Sequence, residues 1–194
     1  MFYKITKRGA LKMLQIKILG RGGQGAQLAG QVLATAFFHE GKYIQSFASY
    51  GGARRGTLVS AFLRVDERPI LLRCDVDNPD AILFFDSSLI SKVLLKGAGP
   101  HTKIMVNSSK SSDEFKWLGD YDLTTVDALH IARSQSLGRI VNSALMGSFA
   151  ALLGAPQKEN LLETVREMSP AKVEENVASC LAGYEMISKV RGAA

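Results

Sequence analysis

The chain is expected to adopt an α/β fold: a three-layer α/β/α sandwich with a mixed, mainly parallel sheet, opened by a Rossmann-like β-loop-α-β unit. Three observations predict it. The apolar run Leu14–Leu19 is followed at once by Gly20-Arg21-Gly22-Gly23-Gln24-Gly25 and then by a stretch of helical periodicity. Three later apolar segments each stop at a polar residue, as parallel strands do where ligand-facing loops begin. The last third of the chain reads as one helix after another.

In order, Leu14–Leu19 is a buried strand and Ala26–His39 a helix with Leu28, Val32, Leu33, Ala36 and Phe37 on its inner face. Gly41 ends that helix. Tyr43–Phe47 is a second strand, expected to pair in parallel with the first. Thr57–Val65 alternates, with Val59, Ala61, Leu63 and Val65 on one face and Ser60 and Arg64 on the other. After the turn Asp66-Glu67-Arg68-Pro69 the chain returns through Ile70-Leu71-Leu72, which predicts a hairpin and so a mixed sheet. Strands then follow at Ala81–Phe85, ending at Asp86, at Lys103–Val106, ending at Asn107, and at Tyr121–Val126, ending at Asp127. Helices cover Ala128–Ser136, Val141–Leu153, Glu159–Met168 and about Ala171–Val190, punctuated by Pro156 and Ser169-Pro170. Phe37, Phe38, Phe84 and Phe85 are expected mostly in the core.

With 194 residues and no internal repeat, residues 14–194 are expected to form a single domain behind a basic N-terminal extension, residues 1–13. Hydrophobic residues at 46% and charged residues at 22% suffice for a packed core. Lys and Arg total 24 against 18 Asp and Glu, a net +6, but Lys4, Lys7, Arg8 and Lys12 supply four of the positive charges and leave +2 without them. So small an excess argues against a nucleic-acid-binding body. Met13 directly precedes the first strand and is an alternative start. No apolar run has signal-peptide or membrane-spanning length, and only Cys74 and Cys180 are present, so a cytoplasmic protein without disulfides or clusters is expected, both thiols buried.

Gly20 to Gly25 fits G-x-G-x-x-G between a strand and a helix, where glycines permit close approach and free N–H groups can hold an anion. A dinucleotide site needs an acid at the end of the second strand, and Ala48 and Ser49 stand there; Glu40 comes too early. A Walker loop fails because Ala26-Gln27 follows Gly25. An anion- or partner-binding loop and a tightly packed turn remain. The second motif, Ser49-Tyr50-Gly51-Gly52-Ala53-Arg54-Arg55-Gly56, follows the second strand and should face the first loop across the same sheet edge. Guanidinium groups there can hold phosphate or carboxylate, or simply face water. The candidate binding residues are therefore Gly20, Gly22, Gly23, Gln24, Gly25, Tyr50, Gly51, Arg54 and Arg55. No catalytic or metal residue is assigned: His39, His101 and His130 lack ligand spacing, and Asp86 and Asp127 suit helix N-caps.

GRGGQGA, YIQSFASYGGARRG and VSAFLRVDERPI, continued by NPDAILFFDSSLI, GRIVNSALMGSFAALLG and a final AGYE, resemble the gamma subunit of the thiamine-diphosphate-dependent 2-oxoacid:ferredoxin oxidoreductases, pyruvate/2-oxoisovalerate branch. The likeness runs from about Leu14 to Glu185. It departs where that family commonly has Tyr-Gly-Pro-Glu and this chain has Tyr50-Gly51-Gly52-Ala53, and at Thr57 and Leu58. The resemblance implies a subunit, inactive alone, of an enzyme that forms acyl-CoA, CO2 and reduced ferredoxin. It places thiamine diphosphate, magnesium and iron–sulfur clusters on partner subunits, an alpha, a beta and a ferredoxin-like delta. Ferredoxin and coenzyme A would be met through the complex, with no nucleic acid and no membrane. The glycine loops would touch a partner or the coenzyme A path. The alternative is a stand-alone Rossmann-like nucleotide-binding protein.

Overall fold

The computed structural model describes residues 12–52 and 56–192. Strands β1 (Leu14–Arg21), β2 (Tyr43–Tyr50), β3 (Leu58–Asp66), β4 (Ala81–Phe84), β5 (Lys103–Asn107) and β6 (Asp122–Val126) make one sheet in the order β2-β3-β1-β4-β5-β6. The β1–β4, β4–β5 and β5–β6 pairings are parallel, and β3 runs antiparallel to both β1 and β2. The helices are α1 (Ala26–His39), α2 (Ala128–Ser134), α3 (Asn142–Leu153), α4 (Lys158–Met168) and α5 (Val173–Gly192).

Two expectations about pairing are corrected. β1 and β2 point the same way but do not pair, because β3 lies between them. Burial explains the insertion: β3 is buried along nearly its whole length, as a central strand must be, whereas β2 is half-exposed and suits an edge. The hairpin is the β2–β3 pair, and Ile70–Leu72 forms no strand. Both sides of β3 are already occupied, so Ile70–Leu72 finds no free ladder and Leu71 is left 83% exposed.

One face of the sheet carries all five helices. Ile16, Ile18, Ala61, Leu63 and Leu83 meet Leu33 and Phe37 of α1 and Leu145 and Phe149 of α3 there. α3 is buried almost all round and crosses α5 so closely that a Cβ on Gly147 would lie 1.8 Å from the Cys180 carbonyl oxygen. Lys103 closes the end of α3, its Nζ donating to the carbonyls of Leu152 (2.8 Å) and Leu153 (3.2 Å). Burial, with Arg191 nearby, lowers the pKa of that amine. On the other face the outer layer is short 3-10 turns at Ser87–Leu89 and Ser112–Leu118, which the periodicity did not announce. Ile90, Leu95, Phe115 and Leu118 pack there on Leu19, Ile82, Phe84 and Ile104.

Beneath β2 and β3 that face holds a buried arginine. The Arg64 guanidinium donates to Gln15 Oε1 (3.1 Å), Gln45 Oε1 (2.6 Å) and the Asp75 carbonyl (2.9 Å) and lies over the Phe47 ring. Cys74, expected inside, is exposed, with its Sγ 3.7 Å from Arg64 Nη2. Cys180 is buried as expected, and burial pushes its thiol up to about 12. Phe37, Phe84 and Phe85 are core residues; Phe38 is 67% exposed. Of the N-terminal extension, residues 1–11 lie outside the described residues, while Lys12 forms an ion pair with Asp80.

Candidate functional site

At the carboxyl ends of β1 and β4 the chain brings four elements to one point. Gly22 donates its N–H to the Thr57 carbonyl (2.8 Å) and accepts from Gly56 N–H (3.2 Å), so the first glycine loop and the end of the β2–β3 loop are hydrogen-bonded. A Cβ on Gly20 would meet Ala26 Cβ at 2.9 Å, so glycine there lets α1 pack on β1. Gly25 caps α1 at φ 88°, and a Cβ on it would fall 2.3 Å from Asn142 Nδ2, because the start of α3 rests on the loop.

Arg21 and Asp86 bind this point together, and neither is among the candidate binding residues read from sequence. Asp86 Oδ2 accepts from Arg21 Nε (3.1 Å) and Gln24 Nε2 (3.3 Å), while its Oδ1 accepts Ser88 N–H (2.9 Å). Arg21 Nη2 reaches Ser88 Oγ at 2.8 Å. Burial opposes ionisation of Asp86, but the bonds from Ser88, Arg21 and Gln24 outweigh it and hold the carboxyl below its ordinary range. The signal was an acid at a strand end beside an arginine inside the glycine loop; the N-cap role of Asp86 was legible, its reach to Arg21 was not. Asp127 is also an N-cap, accepting from His130 N–H.

The loop amides are only partly free. Gly22 N–H goes to Thr57 and Gln24 N–H to the Arg21 carbonyl (2.9 Å), while Gln24 Oε1 takes Arg21 N–H (2.6 Å). The N–H groups of Gly23 and Gly25 meet no acceptor among the described residues. Tyr50 is 56% exposed and its hydroxyl bonds Gln27 of α1. A Cβ on Gly51 would stand 3.3 Å from the Leu58 carbonyl oxygen. Arg54 and Arg55 lie outside the described residues.

Two geometric points count against a dinucleotide. On one side of β1 stands the antiparallel β3, and the acid that follows its parallel neighbour β4, Asp86, is already engaged by Arg21, Gln24 and Ser88 and so is not free for a ribose. The one guanidinium seen in the first loop, that of Arg21, is paired with Asp86. No group of His, Cys, Asp and Glu among the described residues could hold a metal ion, and none of their helices is long and apolar enough to cross a membrane. Beside the loop, Leu28, Val32, Ile140, Met146, Met168 and Pro170 line a groove of about 320 Å³ with Asn142 at its edge. Leu28, expected inside, is 40% exposed because it forms one wall.

Comparison with known proteins places this geometry in a family. The family described as pyruvate ferredoxin/flavodoxin oxidoreductase matches residues 15–186. The pyruvate synthase subunit PorC of Methanothermobacter thermautotrophicus is 38% identical over 92% of this chain and 98% of its own length. The common gamma subunit of the pyruvate/ketoisovalerate oxidoreductases of Thermococcus kodakarensis is 37% identical, over 80% of this chain and 86% of its own. The crystal structure of the pyruvate oxidoreductase subunit PORC of Thermotoga maritima superimposes with a TM-score of 0.80 at 29% identity, over 90% of this chain and 96% of that one. A match that takes in both glycine loops, all six strands and all but the last turns of α5 leaves one conclusion: the chain belongs to the pyruvate ferredoxin/flavodoxin oxidoreductase family.

Proposed function

We propose that this chain is the gamma subunit of a multisubunit, thiamine-diphosphate-dependent 2-oxoacid:ferredoxin oxidoreductase, acting on pyruvate or a branched 2-oxoacid. The complex forms acyl-CoA, CO2 and reduced ferredoxin in the cytoplasm. The observation that carries the reading is the near end-to-end match to subunits of that name. Thiamine diphosphate, magnesium and the iron–sulfur clusters sit on alpha, beta and ferredoxin-like delta partners.

The chain's own contribution is positional. The Arg21–Asp86–Gln24 network holds the first loop, and Gly22 ties it to Gly56 and Thr57, so the first loop and the end of the β2–β3 loop present one edge to a partner or to the approach of coenzyme A. The exposed Gly23 and the guanidinium groups of Arg54 and Arg55 are the groups that would meet phosphate.

Reconstitution tests this. The isolated chain is expected to be colourless and inactive, and the complex to show 2-oxoacid- and coenzyme-A-dependent ferredoxin reduction that drops out when this chain is omitted. Cluster absorbance or 2-oxoacid oxidation by the chain alone would overturn the reading. Within an assembled complex, Arg54→Ala with Arg55→Ala should raise the apparent KM for coenzyme A and leave the 2-oxoacid KM nearly unchanged. Each lost contact is worth about 1.5–3 kcal/mol where water is excluded. An unaltered coenzyme A KM would remove the guidance role, and failure to assemble would give these loops to the partner instead.

A further inference from the structure

β2 is the edge of the sheet and is eight residues long, and its free side can be read from the ladder. Gly51 N–H bonds the Leu58 carbonyl (2.9 Å), and Gly51–Leu58 continues the register Tyr50↔Val59, Ser49↔Ser60. Hydrogen-bonded pairs alternate along an antiparallel ladder, so Tyr43, Gln45, Phe47 and Ser49 bond β3. The N–H and C=O groups of Ile44, Ser46, Ala48 and Tyr50 therefore point away from the sheet. None of them meets a partner among the described residues.

Natural edge strands are shielded by charge, proline, a bulge or shortness. β2 has none of these. Tyr43–Tyr50 contains no Asp, Glu, Lys, Arg or Pro, and α1 beside it contains no Asp, Glu, Lys or Arg either, in a chain that is 22% charged. The side of α1 that turns Gln27 to Tyr50 continues, at helical spacing, through Gln31 to Phe38, which is 67% exposed. Lys42, just before β2, is neutralised by Glu67. The other edge differs: β6 is shorter, and its first residue, Asp122, is held by Arg191.

We propose that β2 is a homodimerisation edge, at which two copies of this chain pair β2 with β2 antiparallel about a two-fold axis at Phe47 and fuse their sheets. The strand itself selects a second copy. With Phe47 opposite Phe47 of the partner subunit, Ile44 meets Tyr50 and Ser46 meets Ala48 in both directions, so all the outward backbone groups of both strands are satisfied at once. Sliding by two residues leaves Tyr50 in one direction, or Ile44 in the other, outside the pairing of these four positions. Residues directly opposite also share a face in this register, as a pleated sheet requires. Phe47 already stacks on Phe62 at 5.1 Å, and the axis extends that pair into a continuous aromatic row across the seam. Tyr43–Tyr50 itself brings no charge to the other copy's strand.

Sedimentation of the full-length chain tests it. The wild type should run at twice the 21.0 kDa chain mass. Ser46→Pro removes an N–H that faces outward and leaves the β3 ladder intact, so it should give a folded monomer. Should that variant fail to fold, Ser46→Lys supplies the same test by setting two ammonium groups diagonally across the axis. In a Cys74→Ser background, Phe47→Cys should form a symmetric intermolecular disulfide on mild oxidation, and adding Ser46→Pro should abolish it. The proposal falls if the wild type is monomeric up to ~100 μM, well above the Kd of specific dimers. It falls also if the dimer survives both Ser46 variants, or if those variants change only assembly with co-expressed subunits, which would assign the edge to another chain's strand.

Discussion

Asp86 is the residue on which the candidate site turns. Its carboxylate joins the first glycine loop to the end of β4, and Asp86→Asn keeps the shape while weakening the bonds to Arg21 and Gln24. The expected loss is about 1–3 kcal/mol in urea unfolding at neutral pH. The pH dependence has a definite sign. The folded pKa lies below the ordinary 3.8, so the contribution is complete above that value and is lost as pH falls through the lowered one. The wild type should lose stability on that acid limb more steeply than Asp86→Asn, and equal slopes would contradict the role given to Asp86. Gly25→Ala should also be costly, since it meets both a φ of 88° and the Asn142 amide. Asn142→Ala should restore only the part due to the clash, so that comparing the double variant with Asn142→Ala isolates about 1–2 kcal/mol of backbone strain. At this scale the sequence showed glycines where glycines were needed, because a six-residue motif between strand and helix is local. The Arg21–Asp86 pair spans 65 residues and only the folded sheet brings it together.

Among the elements, α3 and α5 carry the tightest contact, and it can be tested by adding one methyl group. Gly147→Ala would push its Cβ to 1.8 Å from the Cys180 carbonyl oxygen, and Gly183→Ala to 2.3 Å from that of Ala144. Both involve backbone that cannot step aside, so a loss above about 4 kcal/mol is expected, visible as insoluble protein or a collapsed Tm. Gly154→Ala is the control: its φ is 77°, but nothing lies within 4 Å of the new methyl, and only about 1 kcal/mol should go. Lys103, at the end of α3, predicts a second limb, on the basic side, with the same sign of slope as that of Asp86. Its folded pKa is below 10.5, so between the two values the unfolded chain binds more protons and stability rises with pH. Lys103→Met should flatten that rise, leaving the share due to Lys17, whose pKa burial also lowers against the pull of Asp77 and Asp75. Helix positions were legible to within a few residues because α1 carries a one-sided apolar stripe, Asp127 caps α2, and Pro156 and Ser169-Pro170 punctuate the rest. The hairpin partner of β3 was not, because alternation says that a strand has two faces and nothing of which neighbours fill its two edges.

For the whole molecule, the mixed sheet sorts its labour by face and by edge. Helices cover one face and short turns the other, the carboxyl ends of the parallel strands hold the glycine loops, and an uncharged edge lies to one side. Assembly should therefore fail in separable ways. Gly23→Val, at an exposed loop position with φ 94°, should impair function of the complex with little effect on the mass of the isolated chain, whereas Ser46→Pro should do the reverse. Light scattering on the chain and ferredoxin reduction by the complex would separate the two, and a Gly23→Val chain that loses its dimer would join the surfaces into one.

Arg64 has a further consequence, for how the chain finds its alignment. Its guanidinium collects Gln15 from β1, Gln45 from β2 and the carbonyl of Asp75 from the segment after β3. Shifting β3 by one residue would turn the guanidinium to the helical face, among Ile16, Ile18, Leu33 and Phe37, where it would be charged and without acceptors. Slipping it by two would keep the face but part the guanidinium from both glutamines. One buried cation therefore proofreads three strands at once: misaligned sheets are made expensive, and the chain to β4 docks only on the correct one.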